Sequence, residues 1–148
     1  MNRPSLAQAL VALYNQGGPY TAAVLGNLYT DDIRFTDPAH TVVGIDALAS
    51  YLNHQYASVT ACTFTATSEW ACGDTLFLQW DMVLRHPRLA GGNRITVNGL
   101  SQLQCHSCAD GQTRIALHRD YFDLGQLLYE NVPLLGSATR WLKQRLQA

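Results

Sequence analysis

Asp120 and His118 form a candidate pair for proton-transfer chemistry. Both lie in a predicted β-strand that runs from Ile115 to Asp123, and the alternation of side chains along a strand puts them on the same face. Side chains two residues apart are separated by about 6.6 Å at the backbone, so the carboxylate can orient the imidazole directly or through water. Such a pair can act as a general acid or base. The alternative is a structural salt network, with Asp123 capping the helix that follows.

Asp37 is a second candidate for acid–base chemistry. It ends a predicted strand and extends the apolar face formed by Ile33 and Phe35. A carboxylate that points into an apolar pocket loses part of the solvation of its charge and becomes a better base near neutral pH. The alternative is the more common role of an Asp before Pro, in which it caps the turn 37–40 through its own backbone.

Five further side chains are candidates for contact with a ligand. Tyr14, Asn98 and Ser101 carry groups that can hydrogen-bond a carbonyl or an enolate oxygen. Trp80 could form the floor of a cavity, and His40, in a predicted loop, could lie at its mouth. The alternatives are ordinary core packing for the two aromatic residues and a solvated loop position for His40.

Composition excludes several classes of partner. The chain of 148 residues has 10 basic and 11 acidic residues and a formal net charge of −1, so we expect no nucleic-acid partner and no anionic membrane surface. No apolar run reaches about 18 residues and the first residues lack a signal-peptide pattern, which predicts a cytoplasmic location. Because no phosphate-binding loop or dinucleotide fingerprint occurs, we expect no cofactor.

The four cysteines do not predict a metal site. Cys105 and Cys108 have the spacing of a metal knuckle or redox pair, but a structural zinc site needs four ligands and no second closely spaced pair follows. We therefore predict a strand end and hairpin loop there, with no metal. Cys62 and Cys72 are predicted to lie on the apolar face of a strand, where free cysteine acts as a small hydrophobe.

The first third of the chain and its last residues show the period of α-helices. Ser5 and Gln8 make a capping box that begins the first helix, and an amphipathic helix is predicted to end the chain, from Leu134 to Leu146. Apolar stripes at helical spacing predict three helices before the strands, with stripes formed by Leu6, Leu10, Leu13 and Tyr14, by Val24, Leu25, Leu28 and Tyr29, and by Leu48, Tyr51, Leu52, Gln55 and Tyr56.

Four consecutive segments between Cys62 and Asp123 alternate apolar and polar residues, with loops near Gly73, Gly91 and Gly111. This pattern predicts an antiparallel meander. Helices followed by such a sheet indicate an α+β domain, expected over residues 1–148, with helices packed on one face of a curved sheet and an internal pocket between them.

Several of these segments resemble the nuclear-transport-factor-two-like (NTF2-like) superfamily, in its SnoaL-like polyketide-cyclase branch. The resemblance begins with residues 28–38 and 43–48, and Trp80, residues 99–101 and residues 118–123 are similar to later parts of the same pattern. It covers nearly the whole chain. It implies a cone-shaped, cystatin-like α+β fold with a deep pocket that takes a small-molecule ligand, and a homodimer formed through the sheet.

Two enzymes of the superfamily match only in part. Ketosteroid isomerase has a catalytic aspartate directly before a proline, as Asp37 is here, but Leu10 and Ser101 stand where that enzyme has a tyrosine and a protonated aspartate. Limonene epoxide hydrolase shares Asp120, whereas Gly99 and Ser101 replace its arginine and second aspartate.

Polyketide cyclases of the SnoaL type use an aspartate on the last strand as acid or base, and Asp120 fits that position.

The sequence therefore predicts a SnoaL-like acid–base enzyme of the cyclase, isomerase or dehydratase type that acts on a small, largely apolar molecule. Asp120 is the expected acid or base, His118 its partner, and Asp37 a second carboxylate across the pocket. The alternative is a non-catalytic ligand-binding or protein-interaction module of the same fold. Epoxide hydrolysis is a further alternative, weakened by the residues that replace its catalytic set.

Overall fold

The computed structural model describes residues 5–128, 131–132 and 135–147. Leu134, which the sequence pattern assigns to the C-terminal helix, lies outside these residues. The helices are α1 (Leu6–Gln16), α2 (Ala22–Leu25), α3 (Ile45–Tyr56), α4 (Leu124–Leu127) and α5 (Leu135–Leu146). The strands are β1 (Tyr29–Thr36), β2 (Thr41–Val43), β3 (Ala61–Cys72), β4 (Thr75–Arg85), β5 (Ile95–Ser107) and β6 (Thr113–Phe122).

The six strands form one curved sheet in the order β2-β1-β6-β5-β4-β3. The antiparallel meander from β3 to β6 confirms the period-two prediction. The sequence did not predict the pairing of β1, which runs parallel to β6, with Phe35 opposite His118 and Thr36 opposite Arg119. This pairing brings the end of β1, where Asp37 follows, beside Asp120.

Two elements near the start of the sheet differ from their predictions. Tyr29, assigned by spacing to the second helix, is the first residue of β1, and that helix is the single turn α2. Strand β2 was not predicted, because its three residues are too few to show alternation. It pairs with the end of β1, where Phe35 lies opposite Val42.

A β-bulge in β3 reverses the faces that its side chains occupy. The register with β4 shifts between Ala66 and Ser68, and an extra residue inverts the alternation beyond it. Trp70 therefore lies opposite Phe77 and stacks on it, with ring centroids 5.6 Å apart. The prediction that Cys72 lies on the apolar inner face is wrong for the same reason, since this cysteine is exposed.

Helix α1 is held at both ends, which fixes the side chains it presents to the sheet. The capping box is confirmed, because the Ser5 hydroxyl accepts from the backbone N–H of Gln8 and the Gln8 side chain accepts from the Ser5 N–H. At the other end, the Asn15 side chain pairs with both backbone groups of Phe64 in β3, at 2.9 and 2.7 Å. This last turn of α1 carries Tyr14.

The core lies between the concave face of the sheet and helices α1 and α3. Leu48 of α3, Leu103 of β5 and Ile115 of β6 are fully buried, and each such side chain contributes about 1.5–3 kcal/mol to stability by leaving water. Helix α5 is amphipathic as predicted, but Trp141 and Leu142 are more than half exposed. Within the described ranges, no helix has the length and apolar character needed to cross a membrane.

Candidate active site

A cavity of about 410 Å³ opens between the concave face of the sheet and the helices, a volume in the usual range for small-ligand pockets. Its walls are mainly aromatic and aliphatic. The aromatic lining comprises Tyr14, Phe35, Tyr51, Tyr56, Phe64, Trp80 and Phe122. Asp37, His40, Ser101, His118 and Asp120 also line it, so the structure brings together seven of the eight predicted site residues.

Asp120 is held against the cavity wall by a neighbouring strand. Ser101 of β5 lies directly opposite Asp120 of β6, and its hydroxyl donates to Asp120 Oδ1 at 2.5 Å. The Ser101 oxygen in turn accepts a hydrogen bond from Trp80 Nε1 at 2.9 Å. Ser101 is 2% exposed, so its role is to orient the carboxylate. We predicted that the Ser101 hydroxyl contacts a ligand, but this hydroxyl donates to Asp120 and accepts from Trp80 within the protein.

His118 confirms the predicted geometry of the pair on β6. Its Nε2 lies 2.7 Å from Asp120 Oδ1, and its side chain is 3% exposed against 17% for Asp120. The imidazole stacks between the rings of Tyr29 and Phe35, with centroids 5.9 and 4.8 Å away. Among the described residues, no side chain bonds to Asp120 Oδ2, which leaves this oxygen available to a ligand.

Tyr29 is a site residue that the sequence interpretation missed. Its hydroxyl lies 2.8 Å from His118 Nδ1 and 3.0 Å from the hydroxyl of Tyr14, which lines the cavity. Burial raises the pKa of both tyrosines well above the ordinary value, and the nearby Asp120 charge adds to this. Both hydroxyls are therefore protonated at neutral pH.

Asp37 caps the turn 37–40, as its alternative role predicted, and it also lines the cavity. Its Oδ1 accepts from the backbone N–H groups of Ala39 and His40, both at 2.8 Å, and so caps the turn. Its Oδ2 accepts from the hydroxyl of Tyr51, whose pKa is raised by burial and by this carboxylate. Asp37 lines the cavity, but both of its oxygens are engaged. His40, beside it at the cavity mouth, has its Nδ1 3.3 Å from the Tyr51 hydroxyl.

The prediction that Asn98 contacts a ligand is wrong. Asn98 is exposed and does not line the cavity. Its side-chain amide donates to Asp81 Oδ1 at 2.6 Å, across the two strands. It stands three residues from Ser101, an odd separation that places the two side chains on opposite faces of β5.

Gly99 provides the space for the Trp80 indole. The two residues are opposite each other in the β4–β5 pair, and a Cβ on Gly99 would lie 2.2 Å from the Trp80 ring. Because only glycine fits there, the indole can cross the strand and reach Ser101.

We expect Gly99→Ala to lower the free energy of unfolding by about 1–3 kcal/mol, the usual range for forcing a group into a packed core. Urea unfolding monitored by tryptophan fluorescence measures this. Thr96→Ala, an exposed change on the same strand, is the control and should cost less than about 1 kcal/mol. Equal effects of the two changes would contradict the packing role of Gly99.

Cys62 lines the cavity, and burial raises the pKa of its thiol to about 11. Cys105 and Cys108 are partly buried, and their thiols lie 3.7 and 3.8 Å from nearby backbone carbonyls. Among the described residues, no group of three or more His, Cys, Asp or Glu side chains is placed to hold a metal ion.

The raised pKa of Cys62 predicts slow alkylation. At about pH 8, a thiol with a pKa near 11 is ionised in roughly one molecule per thousand, and only the thiolate reacts. We expect iodoacetamide to label exposed Cys72 at least about tenfold faster than Cys62, as measured by peptide mass spectrometry over time. Labelling of Cys62 as fast as that of Cys72 would show that the cavity wall opens freely.

Asp123 has the structural role expected of it. It is the N-cap of α4, accepting from the Gly125 N–H at 2.8 Å, and its other oxygen pairs with Lys143 of α5 at 2.9 Å. The lysine lowers the pKa of this carboxyl group.

Comparison with known proteins places the chain among others of this architecture. The sequence profile of the family described as SnoaL-like domain matches residues 7–118. No curated protein matches the chain in sequence at a significant level. A Catenulispora acidiphila protein with a ketosteroid isomerase-like fold, solved in complex with trimethylamine, superposes with a TM-score of 0.72 at 18% identity, over 89% of this chain and 96% of that one.

Two further solved structures share the fold. One, named a SnoaL-like polyketide cyclase from Shewanella putrefaciens, has a TM-score of 0.68 at 15% identity, over 85% of this chain and 95% of that one. The other is AclR from Streptomyces galilaeus, named a hydroxylase, with a TM-score of 0.65 at 18% identity, over 90% of this chain and 94% of that one. At these identities the likeness shows the fold alone.

Proposed function

Because the chain belongs to the SnoaL-like family, we propose that it is an acid–base enzyme that moves a proton on a small, neutral, largely apolar molecule without a cofactor. Cyclisation, isomerisation and dehydration all contain such a step. Asp120 is the residue that exchanges the proton, and His118 and Ser101 hold it in place.

The observation that carries the proposal is the state of Asp120. Both of its described hydrogen bonds fall on Oδ1, which fixes the carboxylate plane. Oδ2 accepts no hydrogen bond from a described side chain, and Asp120 lines a cavity with mainly apolar walls. A carboxylate that its neighbours orient before a ligand binds is suited to proton transfer.

The lining also favours a neutral substrate over an anionic one. Asp37 and Asp120 are the carboxylates of the cavity, and the described residues that line it include no lysine or arginine. An anion would enter without a fixed positive partner, which is costly in a site of low polarity. The aromatic walls suit a ring system instead.

A non-catalytic ligand-binding module is the alternative. It is favoured by the hydrogen bonds that both oxygens of Asp37 accept within the protein. Of the two carboxylates among the described lining residues, Asp120 is therefore the one with an oxygen that accepts no hydrogen bond. Epoxide hydrolysis has no support in this geometry. Gly99 offers no side chain there, and the Ser101 hydroxyl is occupied by Trp80 and Asp120.

The proposal is tested with β-tetralone, a neutral bicyclic ketone with exchangeable protons beside its carbonyl. We expect the protein to bind it, seen as a thermal stabilisation, and to accelerate deuterium incorporation from deuterated water, followed by proton NMR. Naphthoate, an anionic bicycle of similar size, should bind much more weakly. Binding without accelerated exchange would support the non-catalytic alternative, and preferential binding of naphthoate would contradict the assigned substrate class.

A homodimer formed through the outer face of the sheet and a cytoplasmic location stay predictions. Light scattering of the purified protein measures the first directly, with a mass of twice 16.3 kDa as the expected result.

A further inference from the structure

Tyr14 and Asp120 both line the cavity, and a continuous chain of hydrogen bonds joins them through buried side chains. Tyr14 and Tyr29 are 3.0 Å apart at their hydroxyls. Tyr29 lies 2.8 Å from His118 Nδ1, and His118 Nε2 lies 2.7 Å from Asp120 Oδ1. Tyr29 is 1% exposed and does not line the cavity. The chain therefore begins and ends at residues of one cavity, and Tyr29 is its member outside the lining.

An ionised Asp120 beside a neutral His118 sets the direction of every bond in this chain. A carboxylate only accepts hydrogen bonds, so His118 donates from Nε2, and the neutral imidazole leaves Nδ1 bare. Nδ1 then accepts from Tyr29, and the Tyr29 oxygen accepts from Tyr14. Each hydroxyl has one proton, so with a neutral imidazole no other arrangement satisfies all three bonds while Asp120 is charged.

We propose that Tyr14 is a second proton-transfer residue of this site, acting as the cavity-facing end of a relay whose final acceptor is Asp120. The inference rests on the proposed function and deepens it, because it gives the site two places at which a proton can be exchanged with one ligand. Tyr14 is suited to the role since it lines the cavity, while Tyr29 only passes the proton on.

The proton balance of the relay is complete. The ligand gives a proton to the Tyr14 oxygen and keeps the bonding electron pair, which makes it an anion. The Tyr14 proton moves to Tyr29, and the Tyr29 proton moves to His118 Nδ1. The Nε2 proton of His118 moves to Asp120 Oδ1, which makes this carboxyl group neutral. Tyr14, Tyr29 and His118 each gain one proton and lose one, so they stay neutral.

After this step every hydrogen bond in the chain is reversed, so that Asp120 donates to His118, His118 to Tyr29 and Tyr29 to Tyr14. Tyr14 now donates to the ligand anion and can return a proton to it by the reverse sequence. If the proton returns to a different ligand atom, the overall reaction is an isomerisation, and it requires no other reactant. The relay thus favours prototropic isomerisation among the three reaction types of the proposed function.

Tyr29→Phe is the diagnostic substitution, because it interrupts the relay without altering the cavity lining. With β-tetralone as the probe, we expect Tyr14→Phe and Tyr29→Phe each to lower kcat for deuterium exchange about 10²-fold, the lower end for one proton-transfer group. KM should stay unchanged in Tyr29→Phe. Tyr20→Phe is the matched control, since Tyr20 is buried beside Tyr14, with ring centroids 6.0 Å apart, but lies outside the chain and the lining.

The result that would overturn the relay is a Tyr29→Phe protein with wild-type kcat beside an impaired Tyr14→Phe, since Tyr14 would then act without Tyr29. A second measurement requires no substrate. Heteronuclear NMR of the imidazole nitrogens, assigned with His118→Gln, should show Nε2 protonated and Nδ1 bare at neutral pH. A proton on Nδ1 with Nε2 bare would overturn the relay. Absence of β-tetralone exchange in the wild type would instead count against the proposed function, and the NMR result would still test the hydrogen-bond directions that the relay requires.

Discussion

Replacement of Asp120 by Asn is expected to reduce β-tetralone exchange by about 10²- to 10⁴-fold, the range for loss of one general acid or base. The amide cannot take up a proton. Its oxygen can still accept from Ser101 and His118, which now bond to Asp120 Oδ1 at 2.5 and 2.7 Å. The fold and the binding of the ketone should therefore persist. Proton NMR of deuterium incorporation measures the loss of exchange, and thermal unfolding measures the persistence of the fold.

Asp37→Asn is the matched control for this loss. Asp37 also lines the cavity, but its two oxygens are held by the turn and by Tyr51, so it has no free oxygen to offer. We expect less than a roughly tenfold change in exchange, which is below the usual contribution of a proton-transfer group. A larger loss in Asp37→Asn than in Asp120→Asn would mean that the base has been assigned to the wrong carboxylate.

Among substitutions that preserve the packing of the site, His118→Phe is expected to lower the stability of the fold most. The ring would still fill the space between Tyr29 and Phe35. The buried Tyr29 hydroxyl would lose the imidazole that accepts from it, and Asp120 would keep Ser101 as its one donor. Because leaving a buried polar group without its partner costs about 1–3 kcal/mol, urea unfolding should show a loss in that range, and ketone exchange should fall as well.

A double substitution separates this cost from simple loss of packing. Tyr29→Phe removes the hydroxyl that loses its imidazole acceptor in His118→Phe, so the double variant should be more stable than the sum of the two single effects predicts. Strict additivity would show that the hydrogen bond between Tyr29 and His118 contributes nothing to stability, and would contradict the assigned chain.

Strand alternation predicted much of the site because strands β4 and β5 each bury one face. It placed His118 and Asp120 on a common face, and it predicted the four-strand meander that brings Ser101 opposite Asp120. The same rule excludes Asn98 from that face, since it lies an odd number of residues from Ser101. The mistaken role of Asn98 came from weighing its chemistry above its position.

Other contacts could not be predicted, because they depend on pairing between distant segments. Tyr29 reaches His118 through the parallel pairing of β1 with β6, which joins residues far apart in the sequence and has no turn to mark it. The bulge that turns Cys72 outward is likewise a local register shift with no strong residue signature. The role of Gly99 depends on where the Trp80 indole lies in three dimensions.

A crystal structure of the Asp120→Asn protein with β-tetralone tests the central claim most directly. The change should block turnover and leave the cavity intact. We expect the ketone to lie in the cavity with a carbon beside its carbonyl about 3–3.5 Å from the side chain at position 120, the distance of a reactive approach. A ketone bound in the cavity with those carbons turned away from position 120, or bound elsewhere on the protein, would contradict the assignment of Asp120 as the acid–base residue.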